Sequence, residues 1–339
     1  MSPHGTYRSL FEPFQGVVSA LATFCWVATA VIAARQAPLF KAGVDLVDFG
    51  VTVTDKRGAL VTGLTADDFE IYEDGKKQVV THFAVGDSDA APEMHLGLML
   101  DVSGSMEEDL PFTKTAAVKF LNTLRDALDI TVVDFDSEVR IARYSQAEFV
   151  RLIERIRQKK VGGDTAIYDA VGVYLDGASG QRGRKIMLLY TDGGDNRSSM
   201  TLHELIDLLK ASDVTVYVIG ELEHQPSSVK SLQRMVILQI AEVTGGQAFF
   251  PTSGKQLDEV YGKVLAEIRA QYTLGYVSTN TRTDGGWRKV EVRLTHRDDR
   301  GLRARAEGIF CAIQTVIRDS GFAGSAGPLP NPKHESPIA

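Results

Sequence analysis

The chain is short of cysteine and has no long basic run, and both shortages narrow what it can be. Of its two cysteines, Cys25 lies inside an N-terminal apolar stretch and Cys311 near the far end, so a processed chain keeps one thiol and no internal disulfide. A formal charge of −7 with no block of Lys and Arg argues against a sequence-independent nucleic-acid surface. Catalytic signatures are missing as well. There is no Gly-x-x-x-x-Gly-Lys-Ser/Thr phosphate loop and no Gly-x-Ser-x-Gly elbow. His203-Glu204-Leu205-Ile206-Asp207 has Asp207 where His-Glu-x-x-His needs its second histidine, so it reads as an acidic first helical turn. His4, His82, His95, His224, His296 and His334 share no ligand spacing and read as scattered surface residues. A non-enzymatic protein is the expectation.

What is present fits a folded chain of about two domains: 339 residues, 44% hydrophobic and 24% charged, enough for each domain to bury a core. From Gln15 to Ala34 the sequence is apolar and uncharged until Arg35. That is a secretory h-region, with small residues for cleavage between Ala30 and Ala37, or, if uncleaved, an anchor at the lower limit of a membrane span. Residues 1–37 are therefore expected to be a signal peptide or membrane anchor. Export to the periplasm, the medium or the cell envelope follows, with possible membrane association through residues 15–34.

After the leader, Val47, Phe49, Val51 and Val53 alternate with polar residues or glycine as a half-buried strand does. Asp74-Gly75 stands between Phe69-Glu70-Ile71-Tyr72 and Val79-Val80-Thr81-His82-Phe83, a hairpin signal. Residues 43–91 are a β unit too small to stand alone comfortably. From His95 the pattern changes to strand and helix in alternation, which implies a mostly parallel sheet. Strands are expected near 96–101, 130–135, 139–143, 185–191, 214–220 and 247–250, and helices near 110–127, 147–158, 166–176, 201–211, 227–243 and 255–270. Residues 272–312 return to β structure, with turns at Asp284-Gly285-Gly286 and Asp298–Gly301 and a last strand near 302–309. The Gly-, Ser- and Pro-rich residues 317–339 read as a disordered tail.

Three stretches carry the chemistry. Leu98-Met99-Leu100-Asp101-Val102-Ser103-Gly104-Ser105 takes an apolar strand into an acid and two hydroxyls, and Gly104 lets the backbone fold close behind them. Gly162-Gly163-Asp164-Thr165 and Leu189-Tyr190-Thr191-Asp192-Gly193 each put an oxygen-bearing side chain in a glycine-rich turn, where a parallel sheet collects its functional loops. Two carboxylates with three hydroxyls suit a small hard cation and leave it free to attract a further acidic oxygen. Glu107-Glu108-Asp109 is read as acids complementing a helix start rather than as a second ion site. Met106, Phe135 and Tyr168 are as compatible with core plugs as with a ligand rim.

The order Asp-x-Ser-x-Ser, distant Thr, distant Asp resembles the metal-ion-dependent adhesion site of von Willebrand factor type A domains, and all five positions are filled, by Asp101, Ser103, Ser105, Thr165 and Asp192. The usual Gly-Gly-Thr is here Gly-Gly-Asp-Thr, which makes Asp164 an additional acid near the rim. The resemblance implies that these five hold Mg²⁺, with Mn²⁺ or Ca²⁺ as substitutes. It further implies a protein partner whose Asp or Glu carboxylate completes the octahedron. Over residues 43–310 the chain also resembles bacterial von Willebrand type A-related proteins of acidobacterial type.

The fold expected is α/β: a doubly wound, mostly parallel six-stranded sheet over residues 93–271, inserted into a small β-sandwich made by both flanking β pieces. The strand into Asp101 begins at the pole opposite the ligand loops, and the final helix delivers Tyr272 to that same pole. Integrin β subunits resemble this arrangement. Two other functions stay open at this point: an envelope assembly or structural factor with a stabilising metal, and a metal-dependent hydrolase.

Overall fold

Strands and helices alternate through the middle of the chain because apolar residues shift from a period of two to helical spacing and back. The computed structural model describes residues 46–312 apart from 87, 89, 125, 281, 283–286, 296–301 and 307–309. The leader at 15–34, the turns at 284–286 and 298–301 and the tail from 317 lie outside the described residues.

In chain order the first strands are β1 (Leu46–Thr54), β2 (Phe69–Glu73), β3 (Lys76–Gln78) and β4 (Val80–Val85). The central domain follows as β5 (Met94–Asp101), α1 (Leu110–Thr123), β6 (Ala127–Phe135), β7 (Val139–Ser145), α2 (Phe149–Gln158), α3 (Ile167–Ala178) and β8 (Arg184–Thr191). It is completed by α4 (Leu202–Lys210), β9 (Val214–Gly220), α5 (Ser227–Glu242), β10 (Ala248–Phe249) and α6 (Gly254–Ala270). Four more strands close the described chain: β11 (Tyr272–Val277), β12 (Trp287–Leu294), β13 (Arg303–Ala306) and β14 (Phe310–Ala312).

The central sheet runs β10-β9-β8-β5-β6-β7, parallel except for β7 at one edge. Its middle strand β5 is buried at every residue, as a strand covered on both faces must be. One face packs on α1, α2 and α6 through Phe120, Ile156 and Tyr261, the other on α3, α4 and α5 through Val171, Leu205 and Ile237. This is the doubly wound α/β architecture, whose functional loops gather at the carboxyl ends of the strands. Among the described residues no helix is long and apolar enough to cross a membrane.

Strands from before and after the central domain share two antiparallel sheets, β13-β1-β11-β4 and β14-β12-β2-β3. The two sheets close on one core of Phe49, Val51, Phe69, Ile71, Tyr272, Leu274 and Val290. Phe69 and Tyr272 meet at 5.2 Å between ring centroids, a contact worth about 1 kcal/mol beyond its area.

Three expectations change in detail. Asp74 and Gly75, both at positive φ, do turn a hairpin, but it pairs β2 with the short polar β3. The chain then crosses at the exposed Val79, and β4 joins the opposite sheet beside β11, where Val80, Phe83 and Val85 pack on the shared core. Helix α1 ends at Thr123 rather than near 127, since Ala127 already pairs with Met94 as β6. His95 is buried, not on the surface: it lies near the start of the central strand, capped by Asp129 at 3.1 Å and by the Arg182 carbonyl at 2.9 Å.

Candidate metal centre

Strand β5 delivers Asp101 fully buried at the end of an apolar run, so its carboxylate must find hydrogen bonds at once. Oδ1 accepts from the Ser103 amide at 3.0 Å and from Ser103 Oγ at 2.5 Å, and Oδ2 from Thr191 Oγ1 at 2.7 Å. A short 3-10 turn over Gly104–Met106 brings the exposed Ser105 back, its Oγ 3.1 Å from Ser103 Oγ. The neighbouring loop docks by main chain: Gly104 N donates to Gly163 O at 3.0 Å and Gly162 N to Val102 O at 2.9 Å.

Thr165, on that docked loop, is held by its backbone. Its N–H donates to Asn196 Oδ1 at 2.8 Å, and its carbonyl accepts from the amides of Asn196 and Arg197, both at 3.1 Å. Asp192 follows β8 and is fully buried. Its Oδ1 accepts from the Gly194 amide at 2.8 Å, whereas Oδ2 has no partner among the described residues. Gly193 is seated hard on α5: at φ 80° a Cβ there would lie 2.8 Å from Gln233 O. The structure thus gathers Asp101, Ser103 and Ser105 into one hydrogen-bonded cluster. Thr191 ties Asp192 to it, and Asn196 joins Thr165 to the loop that Asp192 begins.

Electrostatics work against two ionised carboxylates here. Burial, and after it the charge of Asp192, push the Asp101 carboxyl up to about 7, against the lowering effect of the Ser103 and Thr191 hydrogen bonds. Two buried carboxylates repel each other, and one keeps an oxygen with no donor among the described residues, a costly arrangement that a positive charge there would relieve. Among the described residues no group of three or more Asp, Glu, His or Cys side chains is placed to hold a metal. An ion here would rest on two carboxylates and hydroxyl oxygens, a donor set suited to a hard cation.

The acids beyond Ser105 divide. Glu107 and Glu108 are exposed, while Asp109 is buried just ahead of α1, with Oδ1 2.7 Å from His224 Nδ1 and Oδ2 unpartnered. The hydrogen bond to Asp109 raises the His224 pKa. Burial, and secondarily Asp109, push Glu221 up to about 8. Asp164 is exposed beside Thr165, Met106 and Phe135 are core residues, and Tyr168 is half-buried. Glu204 caps α4 by accepting from the Thr201 amide at 2.8 Å.

The family model described as von Willebrand factor type A domain matches residues 95–263. No curated protein matches the chain. Among solved structures, the conserved hypothetical protein BatB from Bacteroides thetaiotaomicron is similar at 14% identity, covering 51% of this chain and 98% of that one with a TM-score of 0.42. The von Willebrand factor type A structure from Catenulispora acidiphila is 14% identical over 80% of this chain and 74% of that one, TM-score 0.44. The pilus adhesin SpaC from Lactobacillus rhamnosus GG is 12% identical over 71% and 47%, TM-score 0.43. Through residues 95–263 the chain belongs to the von Willebrand factor type A domain family.

Proposed function

We propose that the chain is an exported protein-binding module that engages its partner through a divalent cation, Mg²⁺ foremost, held by Asp101, Ser103, Ser105, Thr165 and Asp192. The observation that carries this reading is Asp192 Oδ2, an unpartnered oxygen on a fully buried carboxylate next to a second buried carboxylate. The bound cation supplies an electrophilic position for a carboxylate oxygen from the partner. The protein residues contribute the rest: Asp101 orients Ser103, Ser103 meets Ser105, and Asn196 presents Thr165. Binding rather than catalysis is supported by the serines themselves, whose hydroxyls are bonded to each other and to Asp101 and, among the described residues, not to a histidine.

An ion that binds only the folded protein stabilises it by about 2.7 kcal/mol at a hundredfold excess over Kd. Mg²⁺, Mn²⁺ or Ca²⁺ should therefore raise the Tm of the wild type and leave that of Asp101→Ala unmoved. A wild-type Tm indifferent to all three ions would overturn the reading. The main-chain links between the three loops also support a second role, in which the ion mainly stiffens them within an assembly factor. Partner binding that survives chelation would select that role.

A further inference from the structure

We propose that the partner of this face is a basic protein surface presenting a single carboxylate with Lys or Arg side chains around it. The inference rests on the cation-centred reading above and adds the chemistry of what binds there. Exposed acids stand on the very loops that carry the candidate ligands. Glu107 lies two residues past Ser105, and Asp164 adjoins Thr165, its amide fixed on Ser137 Oγ at 2.8 Å. Glu223 sits in segment 221–226, whose Gln225 Nε2 donates to Ser105 O at 3.3 Å. Among the described residues no ion pair neutralises Glu107, Asp164 or Glu223. Glu108 is the exception, with His224 Nε2 3.5 Å from its Oε2. Two cations lie nearby: the exposed Arg197 on the loop beyond Asp192, and Lys230, whose Nζ donates to the Glu223 carbonyl at 3.4 Å and leaves the Glu223 carboxylate unpaired.

On the loop after β8 the buried Asp192 keeps an Oδ2 with no partner among the described residues, which points to a cation and hence to a face that receives an anion. A partner approaching it meets attraction for one carboxylate and repulsion for every further negative charge within a Debye length of about 8 Å. A polyanion is therefore disfavoured, whereas a carboxylate flanked by cations gains from the bound cation and the exposed acids together. The chain's net charge of −7 steers in the same sense.

The test is a selection of phage-displayed random short peptides on the immobilised full chain in Mg²⁺. Enriched peptides should pair Asp or Glu with nearby Lys or Arg. They should bind the triple variant Glu107→Gln, Asp164→Asn, Glu223→Gln about tenfold more weakly at low salt, with the gap closing as salt is raised. Mg²⁺ should still raise the Tm of that variant. Peptides that need Mg²⁺ and Asp101 but lack basic residues, or that bind the triple variant as tightly as the wild type, would overturn the inference and leave the cation reading standing. Peptides indifferent to Mg²⁺ and to Asp101→Ala would remove the cation reading and the inference with it. A selection that enriches nothing counts against the inference.

Discussion

Asp192 and Ser103 are both buried at the candidate centre, yet they should answer substitution differently. Asp192 brings charge, and no water replaces a carboxylate's charge. Ser103 brings a neutral oxygen, and Asp101 Oδ1 would keep its bond to the Ser103 amide in Ser103→Ala. Asp192→Ala should lose metal-dependent partner binding while circular dichroism reports an intact fold, and Ser103→Ala should lose less. Equal losses in titrations of partner against Mg²⁺ would mean that geometry outweighs charge. The five candidate ligands were legible in the sequence because each is an oxygen-bearing residue at the end of an apolar run or in a glycine-rich turn. Thr191 and Asn196 were not. A threonine closing a β-strand reads as a strand former, and an asparagine after Gly-Gly-Asp reads as a turn residue. Their roles, holding Asp101 and Thr165, exist only once the loops meet.

At the scale of elements, strand β6 is tied to β7 and α2 by one acid. Asp134 is fully buried and receives Arg140 Nε at 2.7 Å, Arg155 Nη2 at 2.6 Å and Lys159 Nζ at 2.6 Å. Burial raises its pKa, but the bonds from Lys159, Arg140 and Arg155 outweigh that and hold it below the ordinary carboxylate value. A depressed folded pKa gives stability that is present above the unfolded value of about 3.9 and lost as pH falls through the folded one. Asp134→Asn should cost about 3 kcal/mol at pH 7 in urea unfolding, the low end for a broken buried pair because the three cations keep some contact with water. The gap from wild type should narrow below about pH 4, and a gap that stays constant to pH 2 would refute the account. In the sequence Asp134 is one of three polar residues in a mostly apolar strand, and its partners lie 6, 21 and 25 residues away. Its strand was readable, its partners were not. Gly193 shows the same limit from the side of packing. Its positive φ and the clash a Cβ would make with Gln233 O predict that Gly193→Ala shifts Asp192 and weakens Mg²⁺-induced stabilisation severalfold, measured by thermal melts.

Across the whole molecule, strand direction leads to the expectation that both β pieces meet, and β1 and β4 do pair with β11 in one sheet. What direction could not reveal is how stiff the joint is. Gln271 alone separates the end of α6 from β11, and its carbonyl accepts from the Gly86 amide at 2.8 Å. Arg184 spans the same joint, donating to Ile268 O at 3.0 Å and to Gly86 O at 3.1 Å. Glu267, near the end of α6, accepts from Tyr217 of β9 at 3.1 Å, from Gln247 at 2.6 Å and from Arg305 of β13 at 2.6 Å. Such clamps leave α6 no room to slide without tilting the sandwich, so an axial shift of α6 on ligand binding would be transmitted to β1 through β4. Coupling free energy is reciprocal, so holding the sandwich should change affinity at the candidate centre by the same factor, commonly 5- to 150-fold. A flexible Gly-Ser spacer inserted after Ala270 would break the rigid link. In the wild type, Mg²⁺ with a selected peptide should alter hydrogen exchange in residues 46–85, and with the spacer that response should vanish while peptide binding persists. An equal response with and without the spacer would show that α6 is not the coupling element.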